Sequence, residues 1–575
     1  MEYIIHIIIL ILIYAVLVES LNLIMGYAGI ISMGHAVFSA VGAYTAALLS
    51  IYLGFNFLVG MAAGFILAAL TGAILAIPSL RVRDEYLIVF TVGFQMVAFQ
   101  FMLTARNITQ GSGGITNIPP PELFGIKFLT PFSFLPLIFA ISLLCFIFAW
   151  RVIHSPFGRV LKSIREDEAA ARALGKNSLQ FKVVAFAVGG GIAAIGGGMI
   201  AYYLSFINPS LFTIEISVFI IVMVVLGGSA NFWGPLVGAL VLIGLPEALR
   251  FVPGTGGMID AIREILYGGI LMLLMVFRPQ GVLPEYSGRI EKIRIADEFE
   301  LEEYVESSVD ENKESSFGKG SPLKTVLEVK GLSKSFGGLR AVVNVSMALP
   351  FGKITGLIGP NGCGKTTLFN LITGFLDPDE GAVYIQGKDV TKRPPYKLLR
   401  HGVARSWQDI RIFKGMSVLD NVLVARPRQT GENLILLLLF PWRVAREERE
   451  NYRKAMSYLR LVGLSNKSGQ LAGSLSTAEQ KMVAIARLLA TECPVLFLDE
   501  PTAALDVESV GGITKLIRRV AGEGTRTILL IEHNLDVVRG LVENAYFMSE
   551  GQILAVGTPS ELMADPKLAE VYFGI

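Results

Sequence analysis

Cysteine and histidine are scarce: 575 residues contain three Cys and five His. None of them cluster at metal-ligand spacing, which argues against a structural zinc site and a disulfide framework. Charge is scarce as well, with 17% Asp, Glu, Lys and Arg against 53% apolar residues. That balance is too apolar for an ordinary soluble protein. A net charge of +2 singles out no partner, so the distribution of charge along the chain carries more information. The opening run "YIIHIIILILIYAVLV" lacks a basic flank and a small-residue cleavage site. It reads as a retained membrane helix and not as a signal peptide.

What is present falls into two halves. Residues 1–284 alternate apolar runs with short polar turns, and candidate spans lie at 3–24, 33–52, 56–77, 86–104, 132–150, 183–203, 212–228, 232–250 and 262–278. Most reach the ~20 residues that a helix needs to cross the hydrocarbon core. Lipid offers exposed backbone groups no partner, so these about nine spans should be helical. Two basic loops, around Arg81 and Arg83 and from Arg159 through Lys162, Arg165, Arg172 and Lys176 to Lys182, belong on the cytoplasmic side. Nine spans then put the N-terminus outside and the C-terminal half in the cytoplasm.

Glycine fills the same half, in "GYAGIISMGHAVFSAVGAY", "AVGGGIAAIGGGM" and "VLGGSANFWGPLVGAL". Two readings stand side by side: close helix packing, and discontinuous helices lining a substrate path. His35 reads as a packed or pore-wall histidine. Glu215 and Glu247, in or beside apolar spans, are candidates for function or simply helix-end residues. The acidic, serine-containing stretch 285–324 reads as a flexible linker.

From 325 onward the pattern becomes α/β. A buried strand "KITGLIG" runs into "GPNGCGKTT". Its glycines, Gly359, Gly362 and Gly364, let backbone N–H groups curl around phosphates at a helix N-terminus. Lys365 should reach the β- and γ-phosphates of ATP, and Thr366 should ligate Mg²⁺. A second buried run, "VLFL", ends on Asp499 and Glu500. The first acid suits Mg²⁺ binding and the second suits polarisation of an attacking water. His533 ends a third such strand, "TILLIEH", and could steady that water.

These motifs, with "LNLIMGYAGIISMGHAVFSAVGAYTAALL", "GRVLKSIREDEAAARALG" and "MVVLGGSANFWGPLVGA" in the first half and "GLIGPNGCGKTTLFNLITGF", "GVARSWQDIRIF", "LDEPTAALD" and "AVGTPSEL" in the second, resemble a branched-chain amino acid type ABC importer. The first half resembles a LivM-like permease and the second, 325–575, a LivG-like ATPase. The resemblance implies a polytopic all-α membrane domain followed by a P-loop α/β ABC ATPase. It implies phosphate contacts from Gly359, Asn361, Gly362, Cys363, Gly364, Lys365, Thr366 and Thr367, and Phe336 against adenine. It makes Glu500 the catalytic carboxylate, His533 the switch histidine and Gln408 the Q-loop glutamine. Thr366, Gln408 and Asp499 become Mg²⁺ ligands, and Asp506 belongs to the D-loop. "REDEAAARALG", with Arg165, Glu166, Glu168, Ala169 and Gly175, becomes the cytoplasmic coupling segment. Expected partners are a second LivH-like permease, a second LivF-like ATPase and an extracytoplasmic solute-binding protein; nucleic acid is excluded by the membrane half. The implied activity is ATP-driven amino acid import across a prokaryotic cytoplasmic (inner) membrane. A urea or short-amide importer and a poorly hydrolysing regulatory ABC protein are the alternatives.

Two departures from the family pattern stand out. Cys363 replaces a smaller residue in the P-loop. The signature "LSGGQ" is replaced by "LSTAEQ", with Thr477, Ala478 and Glu479 in the last three variable places. Ser476 and Glu479 have capping-box spacing, so the helix should still start there. Ala478 adds a methyl and Glu479 a charge where the family places a partner's γ-phosphate. A slower composite site is the expectation.

Overall fold

A computed structural model describes residues 2–79, 84–123, 125–250, short pieces between 265 and 285, and 325–573 apart from 523 and 525. The loop at Arg81 and Arg83, most of the expected span 262–278 and nearly all of the 285–324 linker lie outside the described residues. The chain divides into two compact units: Met1–Arg165 with Ser178–Tyr286, and Glu166–Asn177 with Ser287–Ile575.

The first unit is helical. Among the described residues seven helices are long and apolar enough to cross a membrane, and an eighth apolar helix, Gly234–Ala248, is shorter. The chain order is α1 (Glu2–Asn22), α2 (His35–Tyr52), α3 (Phe57–Ser79), α4 (Asp84–Thr104), α5 (Pro131–Ile153), α6 (Pro156–Glu166), then, after the excursion into the second unit, α8 (Ser178–Leu204), α9 (Ile214–Gly227) and α10 (Gly234–Arg250). The short α7 (Glu168–Ala173) lies within that excursion. Thr130 and Ser133 cap α5 reciprocally, with Pro131 in its first turn, so this helix starts where its unpaired amides are satisfied.

Some of the glycine runs serve close helix packing, and others coincide with helix breaks. A Cβ on Gly197 of α8 would lie 1.9 Å from the Ser39 carbonyl oxygen, and one on Gly42 of α2 would lie 2.1 Å from that of Ala194. The glycines of α8 therefore bring two backbones into contact. Elsewhere the helices break. After α1 the chain makes a π-turn, Leu23–Tyr27, and stays non-helical until α2 begins at His35. After α9, Gly228 (φ +115°) ends the helix. Asn22 ties the two breaks together, accepting from Ala230 N at 2.9 Å and donating to Asn231 O at 3.0 Å.

His35 is buried and bonded to Ser20 at 2.7 Å. Glu215 is exposed in the first turn of α9, in keeping with a helix-end role. Glu247, half-buried in α10, accepts a hydrogen bond from Tyr3. Glu285, assigned to the linker, belongs to this unit and pairs with Lys162 (3.3 Å) and Arg165 (2.7 Å).

The second unit is built on two sheets. A four-stranded antiparallel sheet has the order β2 (Leu339–Pro350), β1 (Thr325–Phe336), β4 (Glu380–Ile385), β5 (Lys388–Asp389). The larger sheet has the order β6 (Val403–Arg405), β7 (Val495–Asp499), β8 (Thr527–Ile531), β3 (Ile354–Ile358), β9 (Asn544–Ser549), β10 (Gln552–Gly557), and only the last pair is antiparallel. Every residue of β3, β7 and β8 is buried, which is why these strands are continuous apolar runs. The C-terminal ends of β3, β7 and β8 carry the P-loop, Asp499–Glu500 and His533. This is the crevice at which α/β sheets bind ligands.

Candidate functional site

The P-loop follows β3 and ends at α11 (Lys365–Ile372), with Gly364 as N-cap. Gly364 has φ +106°, and a Cβ there would sit 2.3 Å from the Ala341 carbonyl oxygen. Only glycine fits. Lys365 Nζ donates to the carbonyls of Gly359 and Pro360, each at 2.8 Å, so the ammonium is aimed into the loop. Cys363 is buried, its Sγ 3.8 Å from that ammonium. Asn361, Gly362 and Thr366 are exposed, with Thr366 on the first turn of α11.

Asp499 ends β7 almost wholly buried. Its Oδ2 accepts from Arg405 at 3.1 Å, and its Oδ1 has no hydrogen-bond partner among the described residues. An unpartnered, buried carboxylate oxygen beside the P-loop fits a divalent cation or its water shell. Burial raises the Asp499 carboxyl above its ordinary value, and Arg405 opposes that shift.

Glu500 adopts φ +47°, a left-handed conformation that few side chains tolerate. Its N–H donates to Ile531 O at 2.9 Å, which holds the turn. The carboxylate then meets two expected residues at once. His533 Nε2 lies 3.0 Å from Oε1, and Gln408 Nε2 donates to Oε2 at 3.0 Å. Because the Gln408 amide donates through nitrogen, its carbonyl oxygen remains for a cation.

Phe336, at the end of β1, is half exposed, and the Lys334 ammonium lies 5.8 Å from its ring centroid. Asp506 caps α13 (Val507–Gly522), accepting from Ser509 N at 2.9 Å and Ser509 Oγ at 2.8 Å. Ser476 caps α12 (Thr477–Leu489), with the capping box closed: Glu479 N donates to Ser476 Oγ at 3.4 Å, and Ser476 N to Glu479 Oε2 at 3.1 Å. Lys467 Nζ holds the other oxygen of Glu479 at 2.5 Å. The charge at Glu479 is therefore occupied by its own helix cap and a lysine. Thr477 is exposed and Ala478 half-buried at the start of α12.

The segment Glu166–Asn177 folds into this unit. Glu166 Oε2 accepts from Gly415 N at 3.0 Å, and Asp167 pairs with Arg411 at 3.3 Å while capping α7 through Ala170 N. Gly175 (φ +82°) lies against Leu399. Glu168 and Ala169 are half-buried on α7. Arg165 separates from its neighbours: it stays in the first unit, donating to Gly26 O and Glu285.

Two residues escaped the sequence reading, Arg405 and Arg411. Arg405 is buried, bonded to Asp499 and Thr373 and stacked on Trp407 with 4.5 Å from Cζ to the ring centroid. Arg411 approaches the same indole at 4.7 Å, so two guanidinium groups contact Trp407. Asp167 and Lys176 anchor the inserted segment, Lys176 by a 2.5 Å pair with Glu432. An arginine within a strand three residues before the Q-loop glutamine was the available signal for Arg405.

Two family descriptions match the chain: the permease component of branched-chain amino acid transport systems over residues 3–276, and the ABC transporter over 342–503. The BraF ATP-binding protein of high-affinity branched-chain amino acid transport from Pseudomonas aeruginosa is 36% identical over 44% of this chain and 98% of its own length. The LivG counterpart from Salmonella typhimurium is 37% identical over 43% of this chain and 98% of its own. A solved nucleotide-free ATP-binding cassette from an ABC transporter matches 43% of this chain at 35% identity, with a TM-score of 0.38. The protein is an ABC transporter subunit that carries a multi-pass membrane domain and an ATP-binding, ATP-hydrolysing domain in one polypeptide. It belongs to the branched-chain amino acid transport family.

Proposed function

We propose that this chain is the fused permease and ATPase subunit of an importer for branched-chain or other hydrophobic amino acids. The observation that carries the reading is the convergence of Gln408, Glu500 and His533 in a chain whose other half is a branched-chain amino acid permease. An importer of this architecture combines permease, ATPase and binding protein, and the expected partners are a second permease, a second ATPase and an extracytoplasmic binding protein. The membrane domain extends over 1–284 and the ATPase over 325–575, joined by 285–324, of which Glu285 is held by the first unit, with the ATPase in the cytoplasm.

ATP enters as substrate at the P-loop. Lys365 exchanges its loop carbonyls for the β- and γ-phosphates, and backbone amides from Gly359 to Thr367 surround them. Phe336 stacks on adenine. Thr366, Asp499 and the Gln408 carbonyl oxygen would hold Mg²⁺, which supplies charge neutralisation on the phosphate oxygens. Glu500 polarises the attacking water, and its two oxygens are held by Gln408 and His533, so its orientation is set before the nucleotide arrives. Gln408 and the arginine-flanked Trp407 link this centre to Asp167 through Arg411, and the segment Glu166–Gly175 couples hydrolysis to the permease.

The test is uptake of radiolabelled leucine, valine and urea into proteoliposomes that contain the chain with its neighbouring permease, ATPase and binding protein. ATP-dependent uptake of leucine and valine is expected. Uptake of urea alone would transfer the chain to the amide-importer reading, and ATP binding without uptake to the regulatory one.

A further inference from the structure

The ATPase unit exposes an apolar strip that nothing above uses. Asn433 caps the short helix Leu434–Leu439, accepting from the amides of Ile435 and Leu436, and a longer helix, Pro441–Leu461, follows after Phe440. Leu437 and Val444 are buried and anchor the two helices. The other side is open: Ile435 is 67% exposed, Leu439 61% and Trp442 69%, with Leu438 and Phe440 exposed beside them. So continuous an apolar surface is unfavourable in water and marks an interface.

The longer helix adds charge to the same edge. Trp442, Arg446, Arg449 and Arg453 recur at helical spacing on one face, and all are exposed. Of the acids nearby, Glu447 accepts from Thr430 N at 3.0 Å, Glu448 is half-buried, and Glu450 pairs with Arg446 at 3.5 Å. An exposed pair of that kind is weak, so Arg446 can exchange it for another anion. Exposed Leu, Phe and Trp side chains beside an arginine stripe suit the headgroup boundary of an anionic bilayer.

The chain ties this strip to a point of membrane entry. Glu432, two residues before the short helix, pairs with Lys176 at 2.5 Å. Ser178, two residues after Lys176, begins α8, a 27-residue helix long and apolar enough to cross a membrane. Two residues reach at most about 7 Å. A helix of that length measures about 40 Å, against about 30 Å of hydrocarbon, and Lys182 one turn in sets this end of α8 among the headgroups. The strip is therefore tethered within short reach of the headgroup layer. We propose that Ile435–Trp442 and the arginines after it form a membrane-contact element. Its apolar side chains enter the boundary of the cytoplasmic leaflet, and Arg446, Arg449 and Arg453 meet anionic lipid phosphates. This gives the ATPase domain a lipid contact of its own beside the segment that couples it to transport.

The test is nitroxide accessibility in the complete complex, with cysteine-free partner subunits, in nanodiscs that contain anionic lipid. Cys145, Cys363 and Cys493 are buried, so the label enters at Leu439→Cys. Val556→Cys, exposed on β10, is the reference in water. Relative to it, the Leu439 label should lose access to a nickel chelate and gain access to oxygen, the signature of lipid. Arg446→Gln should shift the label's partition towards water by roughly fivefold, the weight of one basic side chain at an anionic surface. Trp442→Cys provides a second label if the first disturbs assembly, with unchanged basal ATPase activity as the control. Nickel access equal to that at Val556 would show an open surface. Shielding from both reagents would show a protein cover, a partner subunit or the acidic stretch 285–324. Either result overturns the membrane contact, and an unchanged partition in Arg446→Gln overturns the recognition of anionic lipid.

Discussion

Glu500 and His533 meet at 3.0 Å across the ends of two parallel strands, and Gln408 holds the other carboxylate oxygen at the same distance. The three come from separate stretches of chain, and each reaches the carboxylate because β6, β7 and β8 are adjacent in the sheet. Replacing Glu500 by Gln keeps the shape and both hydrogen-bonding positions while removing the base. Single-turnover hydrolysis should fall by about a hundred- to ten-thousandfold, the span for a general base, with ATP binding retained. Fluorescent-nucleotide binding with hydrolysis in the same sample checks it; equal loss of binding would make Glu500 structural.

Much of this centre was legible in the sequence because its parts are local. The P-loop, Asp499 with Glu500 and His533 each follow a buried strand, and a continuous apolar run announces such a strand. The capping box at Ser476 was legible for the same reason, since it needs two residues three apart. Arg405 was not, because its partners Thr373, Trp407 and Asp499 converge only once the sheet is assembled. The same applies to Glu19, whose burial follows from helix packing that no local pattern announces. Span counting depended on length and hydropathy, and these do not reveal the π-turn after Asn22 or the break that it shares with Gly228.

Arg405 is the countercharge of a buried acid, so Arg405→Met should act on stability and on pH dependence together. Leaving Asp499 unpaired should cost about 3–5 kcal/mol, the range for breaking a buried pair from one side. Faster amide exchange in Val403–Arg405 and Val495–Asp499 would report it. Asp499 must be ionised to hold Mg²⁺, and burial already raises its carboxyl. Removing Arg405 raises it further, so the acid limb of the ATPase pH profile should move to higher pH. A limb that stays in place would show that Asp499 does not control it.

The inserted segment offers two contacts of unequal depth. Asp167 with Arg411 is partly solvated, and such pairs contribute about 0–1 kcal/mol. Lys176 with Glu432 is buried at the lysine, where loss of one partner is more costly. Asp167→Ala should therefore leave the fold and basal hydrolysis intact while lowering the amount of leucine imported per ATP. Lys176→Ala should also weaken protection of the segment against proteolysis. A parallel fall in uptake and ATPase activity in Asp167→Ala would assign it to catalysis instead.

Glu479 provides a local pH effect. Its carboxyl is held below its ordinary 4.5 by Lys467 first and by the Ser476 amide second. A depressed acid stabilises the fold above its unfolded-state value, and that contribution is lost as pH falls through the folded one. Amides in the first turn of Thr477–Leu489 should thus be protected at neutral pH and lose protection below about pH 4.5. Glu479→Gln should remove this dependence; an identical profile would show that the cap does not rest on the charge.

The capping box also sharpens the expectation for the partner's nucleotide. Ser476 Oγ is engaged by Glu479 on both sides, accepting from its amide and donating to its Oε2 at 3.1 Å. Lys467 offsets the remaining charge. What distinguishes this signature is therefore a hydroxyl that must leave its cap to reach phosphate, and the methyl of Ala478 beside it. The composite site completed by Ser476 should hydrolyse more slowly than the one that uses Lys365, Asp499, Glu500 and His533. In the reconstituted complex, Glu500→Gln should abolish most turnover, whereas the equivalent change in the partner ATPase should remove only a minor share. Glu479→Gln should free Ser476 from the charged acceptor and raise the slow site's rate. Equal losses from the two glutamate variants, with no gain from Glu479→Gln, would show that both sites work alike and that the altered signature is a structural cap alone.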